Sequence, residues 1–126
     1  MSKSEKLYNV IVSNAISFYC ELSKRHPDNP KLESINHRLE QIRNAKNELE
    51  KSQLTSYNDS EILEEALRVL SGILQKFTVA FEAYYSDKPM DYEEFSKSEK
   101  KDLLQEAKGT VDKLNDQFKG TLDWKC

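Results

Sequence analysis

A chain of 126 residues, 37% apolar and 33% charged with three glycines and three prolines, has bulk for one hydrophobic core and little room for a second domain. So few turn-forming residues exclude a turn-rich β fold and low-complexity disorder, and a net charge of −3 removes any general reason to expect nucleic acid as a ligand. No apolar run approaches the roughly 18 residues of a membrane span. The Met1–Lys6 stretch leads into an amphipathic segment rather than a signal-peptide block, so a single cytoplasmic domain over 1–126 is expected.

The first predicted helix covers about 4–25. Leu7, Val10, Ile11, Ala15, Phe18 and Leu22 share one face, and Tyr8, Val12, Ile16 and Tyr19 make a second stripe beside it. Asn14 falls among the core positions, where an amide would fix register through a hydrogen bond. Cys20 and Cys126 lie far apart in sequence and are expected as reduced thiols. His26-Pro27-Asp28-Asn29-Pro30 ends the helix, because residues before proline avoid the helical region.

Asn29 as cap and Pro30 at the first position predict a second helix over about 30–53. Leu32, Ile35, Leu39, Ile42 and Leu49 form its narrow seam, interrupted by Lys46, whose stem can lie on apolar surface. So narrow a stripe suggests the most peripheral of the helices. The turn-and-cap cluster Thr55–Ser60 precedes a third helix over about 61–86, whose broad stripe from Ile62 to Tyr84 marks it as central. Gly72, off that stripe, either admits a close backbone or weakens the helix. Ser96 and Glu99 have capping-box spacing for a fourth helix over about 97–119, with Leu103, Leu104, Ala107, Val111, Leu114 and Phe118 inward. Gly120 is the expected stop, and Leu122 and Trp124 a short apolar tail. The fold class is therefore all-α, an antiparallel four-helix bundle with short connections.

Chemistry is sparse along this frame. Neither histidine has the Glu-x-x-His spacing of a di-iron bundle; Glu33 and His37, four apart, suit a solvated pair better than metal ligands, and no metal or cofactor is expected. Asn36-His37-Arg38-Leu39-Glu40-Gln41 resembles the phosphoacceptor segment of histidine phosphotransfer domains, in which the histidine is followed by x-Leu-Lys-Gly. His37 and Leu39 match, whereas Glu40 replaces the lysine and Gln41 the glycine. That resemblance implies phosphoryl transfer through His37, and the Glu40 carboxylate opposes the incoming charge. Small helical nucleases of the HEPN type place an arginine a few residues before a histidine. Here Arg25 abuts His26, and no arginine lies four to six residues before His37. Neither a nucleophile–base set nor a glycine-rich phosphate loop is present, which argues against an enzyme.

The segment 81–95, FEAYYSDKPMDYEEF, is the exception to this plainness. Glu82, Asp87, Asp91, Glu93 and Glu94 against Lys88 give −4, so the rest of the chain sums to about +1. One reading is structural: rings close the bundle end and acids favour the dipole of the helix that follows. The other is recognition of a basic protein surface, with Tyr85 and Tyr92 supplying contact area and Asp87, Asp91, Glu93 and Glu94 pairing with Lys or Arg. The functional expectation is a non-catalytic immunity or inhibitor protein that neutralises a basic partner such as a toxin nuclease, without nucleic-acid or membrane binding. The alternatives are a self-associating scaffold or regulatory adaptor built on Tyr8, Val12, Ile16 and Tyr19, and a phosphotransfer-like module centred on His37.

Overall fold

The computed structural model describes residues 2–87, 89–119 and 124–126. Its long helices are α1 (Lys3–Ser23), α2 (Leu32–Lys51), α3 (Tyr57–Tyr84) and α5 (Lys100–Phe118). A short α4 (Pro89–Glu94) runs through a π-helical turn (Phe95–Glu99) into α5. The architecture is the expected all-α bundle: α1 packs on α2 and α5, and α3 packs on the same two helices from the other side. One apolar cluster joins them, with Phe18, Leu22, Ile35, Leu39, Ile42, Leu49, Leu63, Leu70, Phe77 and Leu114 shut off from solvent. Each such side chain contributes roughly 1.5–3 kcal/mol by leaving water.

Helix starts differ from expectation where local hydrogen bonds favour another arrangement. The Asn29 N–H donates to His26 O at 2.9 Å, closing a turn over Pro27-Asp28, so Asn29 does not cap α2 and Pro30 lies outside the helix. Lys31, with φ 40°, takes the cap position instead without a side-chain cap bond. α3 begins four residues before the expected Glu61, because Ser56 Oγ accepts the Asp59 N–H at 3.0 Å. The Ser96–Glu99 capping box does not form. Pro89 opens helical structure seven residues earlier, where its missing N–H costs nothing, and the chain stays helical through Ser96. Gly120 and Leu122 lie outside the described residues.

The packing corrects two further expectations and decides between the two readings of Gly72. α2 is not peripheral: it buries Ile35, Leu39, Ile42, Ala45, Lys46 and Leu49 between α1 and α3, so neither it nor α3 stands apart from the ring of four. Gly72 faces open space, so no close backbone approach depends on it. Cys20 and Cys126 are joined in a disulfide with Cα atoms 5.3 Å apart across 106 residues of sequence. Trp124 and Cys126 meet Tyr19 and Cys20 of α1, and spacing along the chain carries no information about that meeting.

Two polar links fix helix register. Arg38 on α2 donates through Nε to Glu21 Oε2 at 3.3 Å and through Nη1 to Asn14 Oδ1 at 3.4 Å, both on α1. Asn14 is half-buried at the helix contact, and its Nδ2 donates to Val10 O at 2.8 Å. Lys46 bridges α2 and α3, with Nζ 3.1 Å from Glu50 and 2.9 Å from Glu64. Burial acts to lower the Lys46 pKa, but the hydrogen bonds to Glu64 and Glu50 outweigh it and the net shift is upward.

Candidate protein-binding surface

The last turns of α3 bring Phe77 and Phe81 to the bundle end, and the α4–π turn carries Tyr92 and Phe95 back onto them. Phe95 lies 5.1 Å from Phe77, Tyr92 5.9 Å from Phe81 and 5.2 Å from Tyr84, all near edge-to-face. His26, in the turn after α1, adds edge contacts to Tyr84 at 6.2 Å and Tyr92 at 6.1 Å. The π-helical turn makes this return possible: Lys100 N–H bonds Phe95 O, five residues back, and the wider turn keeps Phe95 inward while α5 takes up its own face.

The six residues singled out in the sequence divide between roles. Tyr92 is 8% exposed and belongs to the floor, so it offers a partner no contact area. Its phenol pKa is raised, chiefly by burial. Tyr85 is 66% exposed, yet its hydroxyl donates to Pro27 O at 2.5 Å. That phenol is also raised, by desolvation first and then by the Asp28 carboxylate, so both tyrosines stay neutral through ordinary pH. Asp87, Asp91, Glu93 and Glu94 are all exposed. Glu93 stands 3.9 Å from Lys97, whereas among the described residues Asp87, Asp91 and Glu94 have no ion-pair partner.

Asp91 and Glu94 do meet at one place. They edge an open groove of about 570 Å³ between α3 and the α4–π segment. Val79, Ala80, Ala83 and Phe95 supply its apolar wall, and Glu99, Ser98, Lys76 and Gln75 complete the rim. Three carboxylates against one ammonium leave the rim negative. Small alanines on α3 keep the groove open, and Val79 is 55% exposed within it. Val79, Lys76 and Glu99 were absent from the expected site. A β-branched apolar residue off the α3 stripe was the available signal for the first; joining Glu99 to the site required the fold.

The other sequence candidates fare differently. In the α1 stripe Val12 is fully buried and Tyr8, Ile16 and Tyr19 are half-buried. Tyr8 stacks on Phe118 at 4.5 Å, and Tyr19 meets Trp124 edge-on at 5.4 Å, so α5 and the tail cover that stripe. His37 is exposed, with Nδ1 3.9 Å from Glu40 and Nε2 3.3 Å from Gln41 Nε2. It shares a second groove of about 570 Å³ with Glu33 and Glu40, two carboxylates that repel a phosphoryl group. Among the described residues no group of histidine, cysteine and carboxylate side chains is placed to hold a metal, and no helix is long and apolar enough to cross a membrane. No family model matches the chain, and no similar curated protein or solved structure was found.

Proposed function

We propose that the protein is a non-catalytic binding module whose partner is a basic protein, most concretely an immunity or inhibitor protein that neutralises a partner such as a toxin nuclease. The observation that carries this reading is the acid-rimmed apolar groove edged by Asp91 and Glu94, which, like Asp87, have no ion-pair partner among the described residues. Apolar wall atoms give a partner's side chains something to bury, while carboxylates without internal partners steer and pair with Lys or Arg. Tyr85 and Asp87, exposed just past α3, lie outside the groove's lining, and the Tyr85 hydroxyl is already bonded to Pro27 O. The contact set is thus Tyr85, Val79, Asp87, Asp91 and Glu94, with Glu93 at the margin and Tyr92 as support.

Capture from the producing cell with wild-type bait beside an Asp91/Glu93/Glu94→Lys variant tests the reading, with circular dichroism on both to establish equal folding. A basic partner held by the wild type alone, and released as salt rises, is the expected result. Equal retention by both proteins returns 81–95 to end closure. The cytoplasmic placement belongs to the same reading and sets a condition on the disulfide. In a reducing compartment such a bond persists only transiently. Trapping the thiol state of the pair directly in the producing cell checks that placement.

A further inference from the structure

The Cys20–Cys126 bond joins two unlike sites. Cys20 is half-buried within α1, and Cys126 is exposed at the end of the tail. Two residues before Cys126, Trp124 lies on the seam between α1 and α5. Its Nε1 donates to Asp112 Oδ1 at 2.7 Å, Lys108 Nζ stands 5.3 Å from the ring centroid, and the ring meets Tyr19 edge-on at 5.4 Å. Among the described residues the buried members of the central core all precede residue 115, and half-buried Trp124 packs against them from outside. A bond that is open to solution thiols and fastens residues packed outside the buried core has the layout of a labile disulfide rather than an inert one.

We propose that Cys20–Cys126 is a reversible thiol–disulfide exchange site that takes a dithiol, and that its state fixes or frees residues 124–126 as a strap over α1 and α5. A thiolate of the dithiol attacks Sγ of the exposed Cys126, forming a mixed disulfide and expelling Cys20 as a thiolate. The second thiol of the reductant then attacks its own sulfur in that mixed disulfide, closing the oxidised dithiol and releasing Cys126. Two electrons pass to the protein, and the two protons of the dithiol end on the two cysteines. With the bond broken, the Trp124 contacts are what holds the strap among the described residues. Its departure uncovers Tyr19, the end of the stripe that runs through Tyr8, Val12 and Ile16. This inference stands apart from the partner reading, since the groove lies on the α3 side of the bundle.

Trp124 is the sole tryptophan of the chain, so its emission reports the strap directly. The purified protein is equilibrated in buffers of stepped reduced-to-oxidised dithiothreitol ratio under native conditions. Emission, far-UV circular dichroism and thiol alkylation by mass are read on each sample. The expected result is a single reversible transition in which two cysteines become alkylatable, the emission moves to that of solvent-exposed tryptophan, and helicity is unchanged. Cys126→Ser should show the shifted emission without reductant. Unchanged emission after full reduction overturns the strap. Loss of helicity with reduction makes the bond a staple of the whole bundle and overturns the inference too. Resistance to dithiothreitol until the protein is unfolded, or two thiols already free in air-purified protein, removes the exchange site.

Discussion

The chain treats the two flanks of its C-terminal helical arm in opposite ways. On the α1 side it closes the seam with its own aromatics, Tyr8 stacking on Phe118 and Trp124 lying against Tyr19, and fastens the tail with a disulfide. On the α3 side the groove beside Val79 stays open, as does a smaller recess of about 290 Å³ lined by Ile62, Ala66, Val69 and Leu114. Both flanks carry apolar surface. They differ in what lies on them: among the described residues the tail contacts the first, and the second carries small side chains with an acidic rim. Surface left uncovered by its own chain, with carboxylates free to pair, is where a partner gains most from docking.

The largest test of this contrast is Cys126→Ser, or reduction, on the closed side. In the chain-entropy picture, a bond closing a loop of about this length contributes roughly 4 kcal/mol, so the melting temperature of the oxidised protein should exceed that of the variant by more than 10 °C. An unchanged melting curve would make the tail incidental to the closed seam. On the open side, Phe95→Ala removes part of the groove's apolar wall together with its contact to Phe77. It should cost about 3 kcal/mol in chemical denaturation, since Phe95 is a buried ring packed edge-on against Phe77. Smaller effects come from the residues that face outward on each flank. Trp124→Ala with the disulfide intact should lose about 1–2 kcal/mol, from the edge contact, the cation over the ring and the Asp112 bond.

Val79→Ser should leave stability within about 0.5 kcal/mol while weakening partner capture, because Val79 is already 55% exposed. A destabilisation as large as that of Phe95→Ala would show the groove to be core. The smallest effect lies on the third seam, between α2 and α3, and serves as a control for both flanks. There the Glu50 carboxyl is held below its usual range, by the Ser60 hydroxyl first and then by Lys46. A carboxylate lowered in the folded state adds stability above its unfolded value, about 4.3 for glutamate, and loses it as pH falls through the folded one. Melting temperature should therefore decline on acidification below that value, and Glu50→Gln should flatten this part of the profile without altering either flank.

Much of the frame was legible in the residues because helical periodicity is a local property. The stripes Ile11–Ala15–Phe18–Leu22 and Leu103–Ala107–Val111–Leu114 name the buried faces directly, and the helix bodies follow from them. The ends were less legible. Ser56 and the turn over Pro27-Asp28 compete with neighbouring caps of similar chemistry, and differences of about 1 kcal/mol decide between them. The candidate surface was half legible. The acids and Tyr85 were expected outside, but Tyr92 has the composition of a contact residue and the position of a core one.

By itself, then, the sequence determined the all-α class, the buried face of each long helix, and the concentration of negative charge at 81–95. These depend on spacing within a few turns and on simple counting. Tertiary structure decided that Tyr92 turns inward, that Asp91, Glu94, Glu99 and Val79 share one groove, and that Cys126 reaches Cys20. Each of these depends on the direction in which the chain returns after a turn. That direction is set by packing between segments far apart in sequence, where no local pattern records the neighbour.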